Sequence, residues 1–218
     1  MICLLCNSKC FPLLHTQGIY KCPVCNSLNR LQIPEVSYYT AVSYWWNMEW
    51  LPLYQNSLFV WMKDLIQAMP SIEVGAADGD FLNLVQNHIG SQFPVTYNEL
   101  VDKKRKQFNF NHLWIGDIFH FKNKIPTEYP INLFMIDVIE HLAKPFDLFP
   151  LLASKSRIYI VTADGDALFA YNEMLTHIEH SCIISKSGMS IAAKNNDCKI
   201  IKYYSTPFGV SITILEKL

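Results

Sequence analysis

The sequence predicts an α/β protein: one seven-stranded sheet with helices on both faces, preceded by a small cysteine-rich ribbon. Three observations predict it. From residue 70 onward, short apolar runs alternate with amphipathic segments, as strands joined through helices do. The first of those runs ends in a glycine turn, Gly75-Ala76-Ala77-Asp78-Gly79, that leads into an amphipathic segment. Five of the seven cysteines fall in the first 25 residues. The chain has 218 residues, half of them hydrophobic and 17% charged. Such a length holds one core of roughly 150 residues plus a small appendage, and the composition argues against long disorder.

The elements follow in chain order. Residues 1–30 form the ribbon. Cys3-Leu4-Leu5-Cys6 and Cys22-Pro23-Val24-Cys25 are two CxxC pairs with fifteen residues between them, the spacing of a zinc ribbon. Each CxxC turn aims two thiolates at one point, and two turns close a tetrahedron around Zn²⁺. So short a segment buries no core of its own, so the metal supplies its folding free energy. Four thiolates leave no open position, which makes the zinc structural. Cys10 and His15 are competing ligands, and disulfides or free thiols are the alternative to a metal. Gly18 is placed to end a hairpin, with Ile19-Tyr20 in a strand leading to the second pair. Cys182 and Cys198 read as buried thiols.

Residues 31–69 form an aromatic linker that includes Trp45, Trp46 and Trp50. Leu58, Trp61, Met62, Leu65 and Ile66 recur at helical spacing, which predicts a helix ended by Pro70. Residues 70–218 form the main domain. Strands are expected at 71–74, 95–100, 113–115, 131–136, 158–162, 199–204 and 210–216. Helices are expected near 80–89, 102–108, 143–153, 166–177 and 187–196.

Charge and hydropathy narrow the function. The net charge is −1, which weighs against a protein that grips nucleic acid through its phosphates. No apolar run reaches the roughly 20 residues of a membrane helix, and the start lacks the pattern of a signal peptide. A cytoplasmic protein acting on a small molecule, with no membrane partner, is the expectation.

The glycine turn excludes two nucleotide motifs. It lacks the third glycine spacing of G-x-G-x-x-G and the Gly-Lys-Ser/Thr of a P-loop. Its acidic residues, Glu73, Asp78 and Asp80, suit a cation better than a phosphate. Here the chain resembles the class I S-adenosylmethionine (SAM)-dependent methyltransferases, whose first motif is E/D-x-G-x-G-x-G. This chain reads Glu73-x-Gly75-x-Ala77-x-Gly79, with Ala77 in place of a glycine. The resemblance implies a Rossmann-like SAM-methyltransferase sheet, with Glu73, Gly75, Ala76, Asp78 and Gly79 at the cofactor. It implies that Glu99, ending the second strand, accepts from the ribose hydroxyls. Asp117 and Ile118 in Ile115-Gly116-Asp117-Ile118-Phe119 would hold the adenine. Asp137-Val138-Ile139-Glu140-His141-Leu142 resembles the D-x-x-E-H-L motif of small-molecule methyltransferases, a subgroup that includes sugar C-methyltransferases bearing an N-terminal cysteine ribbon. Asp137 is thereby a cofactor residue. His177-Ile178-Glu179-His180 resembles that subgroup's Y-x-E-H, with His177 replacing the tyrosine. The resemblance makes Glu179 and His180, with His141, the catalytic candidates, and a neutral imidazole is the side chain best matched to base catalysis near pH 7. Structural anchoring is the alternative for each histidine. Two other functions fit the layout: an RNA methyltransferase using its ribbon on RNA, and an inactive SAM-fold scaffold.

Overall fold

In a computed structural model of the chain, which describes residues 1–13, 18–30, 51–100, 108–167, 180–206 and 209–218, the seven expected strands form one sheet. Ahead of them lie β1 (Phe11–Pro12), β2 (Ile19–Lys21) and β3 (Leu28–Arg30). Next comes α1 (Leu51–Met62), continued by a 3-10 turn at Lys63–Leu65. Then follow β4 (Ser71–Val74), α2 (Asp80–Ile89), β5 (Val95–Glu99), β6 (His112–Ile115) and β7 (Asn132–Ile136). The rest is β8 (Arg157–Ala163), β9 (Cys182–Ile183), α3 (Lys186–Asn195), β10 (Cys198–Ser205) and β11 (Val210–Lys217).

The strand order is β10-β11-β8-β7-β4-β5-β6. β4 runs parallel to β5 and β7, β5 runs parallel to β6, and β10 pairs antiparallel with β11. The order reverses at β4, because the chain moves outward to β5 and β6 and then returns to β4's other side. Open α/β sheets bind ligands at the carboxyl ends of strands beside such a reversal. All residues of β4 and β5 are buried, as expected of parallel strands covered on both faces.

By packing, the chain divides into two units: 1–34, 136–150 and 158–218 form one, and 35–135 and 151–157 the other. In the second unit, α2 buries Phe81, Leu82, Val85 and Ile89 along one stripe. The Phe81 ring meets Phe134 of β7 edge-on at 5.3 Å between centroids, and Phe59 of α1 at 6.4 Å.

In the first unit, β1, β2 and β3 form an antiparallel ribbon whose fourth strand is β9. Leu28 pairs with Ile183 and Asn29 with Cys182. A serine joint fastens this sheet to α3. Ser185 donates its N–H to Ser27 Oγ at 3.0 Å, and Ser187 Oγ donates to the Cys25 carbonyl at 2.7 Å.

Two expected helices differ. No α-helix forms at 143–153; that stretch is built of turns, with a 3-10 turn at Phe149–Leu151. Pro150 removes a backbone donor in the interior of that stretch, although Phe146, Leu148, Phe149 and Leu152 are buried at helix-like spacing. The linker helix begins at Leu51, not near 58, and leaves helical geometry after Leu65. Pro52 sits in its first turn, where a missing N–H costs nothing. The linker's 31–50 and the expected helices near 102–108 and 166–177 fall mostly or wholly outside the described residues.

Gly188 tests the joint. A Cβ built there would overlap Ser27 Oγ and sit 2.9 Å from Leu5 Cδ1. Alanine in a helix ordinarily stabilises relative to glycine. Gly188→Ala should instead destabilise by about 1–3 kcal/mol through overpacking, read as a lower urea midpoint; an unchanged or higher midpoint would refute the tight joint.

Candidate functional site

The glycine turn is built by three left-handed residues. Gly75 has φ 67°, Ala77 49° and Gly79 88°. The first and third are glycines, for which this conformation carries no steric penalty. Ala77 adopts it at a cost of about 1–2 kcal/mol, and β5 holds it at both backbone groups. Its N–H donates to Glu99 Oε2 at 2.9 Å, and its carbonyl accepts from the Tyr97 hydroxyl at 2.5 Å. Those two bonds offset the strain and account for an alanine where the resembled motif has a glycine. Ala76 donates its N–H to the Asn98 carbonyl, and Gly79 N–H closes the turn on the Ala76 carbonyl at 2.8 Å. Gly79 also admits its neighbours closely: a Cβ there would lie 2.9 Å from Phe110 and 3.2 Å from Phe108.

The acids lie around this turn. Glu73, in β4, is 2% exposed, and its Oε2 has no hydrogen-bond partner among the described residues. Burial pushes its carboxyl well above the usual range. The charges of Asp78 and Glu99 push the same way, and the Leu82 N–H offsets them only in part. Asp78 Oδ1 accepts from Asp80 N–H at 3.1 Å. Glu99 accepts one backbone N–H on each oxygen, from Ala77 and, at 2.7 Å, from Leu100. Gly116 N–H donates to the Glu99 carbonyl at 2.9 Å, which brings the third-strand loop alongside. Asp117 caps the following 3-10 helix by accepting from Phe119 N–H at 2.9 Å, and Ile118 is buried. The second unit thus gathers Glu73, 75–79, Glu99 and Asp117 at neighbouring strand ends.

The first unit carries the other candidates. Asp137, just after β7, has φ 50° and donates its N–H to the Val161 carbonyl at 2.9 Å. Glu140 and His141 stand on a single 3-10 turn, Ile139–His141. His180 reaches the same place, its ring centroid 4.8 Å from that of His141 and the planes 67° apart. One ligand atom from each of Glu140, His141 and His180 lies within 4.8 Å of the others. Ser181 ties the two segments: its N–H and Oγ donate to the Glu140 carbonyl at 2.6 and 2.7 Å, and its Oγ also reaches the Leu142 carbonyl at 2.9 Å. Burial, and then the charge of Asp137, raise the Glu140 carboxyl to about 8. The structure joins His141 and His180, and it adds Glu140, which sequence reasoning passed over. The E-H adjacency was visible; the arrival of residue 180 beside it was not. Glu179 and His177 lie outside the described residues.

The four ribbon thiols also converge. Cys3 and Cys25 Sγ are 3.5 Å apart, Cys6 and Cys22 Sγ 3.4 Å, and all four lie within 4.8 Å of one another. A tetrahedral zinc with bonds near 2.3 Å sets its sulfurs about 3.8 Å apart, so this donor set fits the ion. The two knuckles repeat a longer string, Cys-x-x-Cys-Asn-Ser. Asn7 (φ 56°) and Asn26 (φ 61°) take the left-handed position, which asparagine tolerates. Cys3 N–H meets the Ser8 carbonyl as Cys22 N–H meets that of Ser27. Cys10 lies beside the four; burial, and then the nearby Cys3 and Cys22 thiols, push its own thiol up, and its sulfur accepts from Asn29 Nδ2 at 3.8 Å. His15 lies outside the described residues. Cys182 and Cys198 are buried, and burial pushes the Cys182 thiol up to about 12.

No protein-family model matches the chain, and no curated protein matches it by sequence. Solved structures do match. One is a SAM-dependent methyltransferase from Archaeoglobus fulgidus, at TM-score 0.61 and 12% identity over 83% of this chain and 99% of that one. The PH0226 protein from Pyrococcus horikoshii OT3 matches at TM-score 0.60 and 14% identity over 84% and 99%. The complex of the Haloferax volcanii Trm112 methyltransferase activator with a putative methyltransferase contains a chain matching at TM-score 0.60 and 9% identity, over 83% and 93%. The chain has the SAM-methyltransferase fold. Among the described residues, no helix of this methyltransferase-like fold is long and apolar enough to cross a membrane.

Glu73 gives this fold a pH signature. Its folded carboxyl keeps a proton that the unfolded chain releases above the ordinary value of 4.5. The unfolded state then binds fewer protons, so this residue's contribution is present at low pH and is lost as pH rises through the window above that value. Glu73→Gln should flatten the fall of the urea midpoint with rising pH, and an unchanged slope would contradict the buried neutral acid.

Proposed function

We propose that the chain is a SAM-dependent methyltransferase acting on a small polar acceptor, with sugars and nucleotide-sugars the class that the D-x-x-E-H resemblance favours. One observation carries the cofactor half: a left-handed turn after β4, held by Glu99 and Tyr97 of β5, with Glu73 and Asp78 beside it. The donor chemistry fits SAM. A sulfonium is stabilised beside the charges of Asp78 and Glu99, the same charges that join burial in keeping Glu73 protonated, and Glu73 Oε2 has no hydrogen-bond partner among the described residues. Each carboxylate oxygen has two lone pairs, and Glu99, at the end of β5, is the carboxylate that accepts from the ribose hydroxyls. Asp117 accepts from the adenine amine, and Ile118 packs on its ring. Gly75, Ala76 and Gly79 let the backbone approach the bound molecule; Asp137, in the first unit, is the further cofactor residue that the D-x-x-E-H resemblance implies.

SAM supplies an electrophilic methyl group, so the protein's task is to place the acceptor in line, which contributes several kcal/mol by orientation alone. His180 and His141, with Glu179, are the groups for taking the acceptor's proton. Residues 70–218 form the methyltransferase domain and 31–69 a linker. Cys3, Cys6, Cys22 and Cys25 hold a structural zinc in the ribbon of residues 1–30.

Calorimetry tests the cofactor site. The wild type should bind SAM, and Glu99→Ala should weaken binding by about 1–3 kcal/mol, the worth of hydrogen bonds to a charged group. No binding at millimolar SAM would overturn the function, and an unchanged affinity in the variant would remove Glu99 from it. For the ribbon, Cys22→Ser should lose a zinc that the wild type retains through dialysis, measured by elemental analysis. Zinc retained in the variant would refute the four-thiolate site.

A further inference from the structure

We propose that Glu140, His141 and His180 form a second metal site, taking a divalent first-row cation with an open position for an acceptor oxygen. The metal site stands on the first unit alone; the oxygen acceptor rests on the methyltransferase reading.

Two imidazoles and one carboxylate are the donor set of open, catalytically competent sites for zinc and related ions. Bonds near 2.1 Å place such donors about 3.0–3.4 Å apart. Here they already lie within 4.8 Å of one another, and small torsions of the ring and carboxylate bonds, which are soft, close the difference. Glu140 supplies a second, independent observation. It is 2% exposed, and its Oε2 has no hydrogen-bond partner among the described residues. A buried carboxyl oxygen in that state is costly unless something pairs with it. Asp137 adds negative charge beside it, and a divalent cation would stabilise both.

The site is preorganised. Ser181 holds the 139–141 turn by three hydrogen bonds. Arg30 Nε donates to the His180 carbonyl at 3.2 Å, and Arg30 N–H donates to the Ser181 carbonyl at 2.8 Å. The ribbon strand β3 thereby fixes the segment that presents His180. The two metal sites differ in donor softness: thiolates in the ribbon, nitrogen and oxygen here.

A hydroxyl of the acceptor on the open position loses its proton to solvent more readily, because the cation lowers its pKa. The oxygen lone pair then forms the O–CH₃ bond as the methyl–sulfur bond breaks. That bond's electron pair goes to sulfur and leaves neutral S-adenosylhomocysteine. His141 and His180, the proton acceptors of the metal-free site, would be ligands once the cation is bound, and solvent would then take the proton that the cation acidifies.

The test is equilibrium binding of Mn²⁺, and separately Co²⁺, to the full chain with its ribbon already zinc-loaded. Electron paramagnetic resonance should count one bound Mn²⁺ per chain. Glu140→Gln and His180→Gln should each weaken binding at least tenfold while leaving SAM affinity unchanged. In the wild type, bound Mn²⁺ should broaden the ring-proton resonances of His141 and His180, a readout that needs no variant to fold. Failure of both ions to bind, unbroadened histidine signals, or unweakened binding in well-folded variants would overturn the site. Mn²⁺ binding in a chain that fails to bind SAM would uphold the site and sink the methyltransferase reading instead.

Discussion

The bond from Ala77 N–H to Glu99 organises the second unit. It is short, partly buried, and charge-assisted, so it belongs to the stronger class of hydrogen bonds. It fixes a residue with a side chain in a conformation suited to glycine, and that fixes the path from β4 into α2. The same carboxylate sits beside the loop after β6 through the Gly116 contact with its own carbonyl. Residue 99 thereby couples the ends of three parallel strands, its side chain reaching the turn after β4 and its main-chain carbonyl the loop after β6. It also concentrates negative charge in a place where Glu73 is already buried, a combination that disfavours phosphate and favours a cation.

The first unit is organised by backbone bonds to side-chain hydroxyls. Ser181 joins the Glu140 turn to the segment entering β9, and Ser185 with Ser187 joins α3 to the second cysteine knuckle. Because β9 pairs with β3, a ribbon closed by four sulfurs supports the strand adjoining His180. The ribbon is therefore part of the scaffold behind the histidines and not merely an appendage, and its folding and theirs are linked through Leu28, Asn29 and Arg30.

Much of the sheet was legible because parallel strands buried on both faces leave unbroken apolar runs. Each of the seven expected strands was found within two residues of its expected ends. The cysteine spacing and the Gly75–Gly79 turn were equally plain. What escaped had physical reasons. The stretch 143–153 has apolar residues at helical spacing, but Pro150 in its interior breaks the helix and the same residues form buried turns. β9 is two residues long and has no periodicity to detect; only its partner Leu28-Asn29 defines it. The repeated Cys-x-x-Cys-Asn-Ser was in plain view, yet its meaning lies in the left-handed asparagines, a backbone fact. Glu140 was within a recognised string, but its burial and its meeting with His180 depend on a segment forty residues further on.

We propose the turn at 75–79, braced by Glu99, as a cradle for a sulfonium-bearing nucleoside. A crystal structure of the chain grown with S-adenosylhomocysteine tests it most directly. The ribose hydroxyls are expected on the Glu99 carboxylate, with the adenine beside Asp117 and Ile118. Density for the nucleoside elsewhere, with Glu99 bonded only to Ala77 and Leu100, would contradict it.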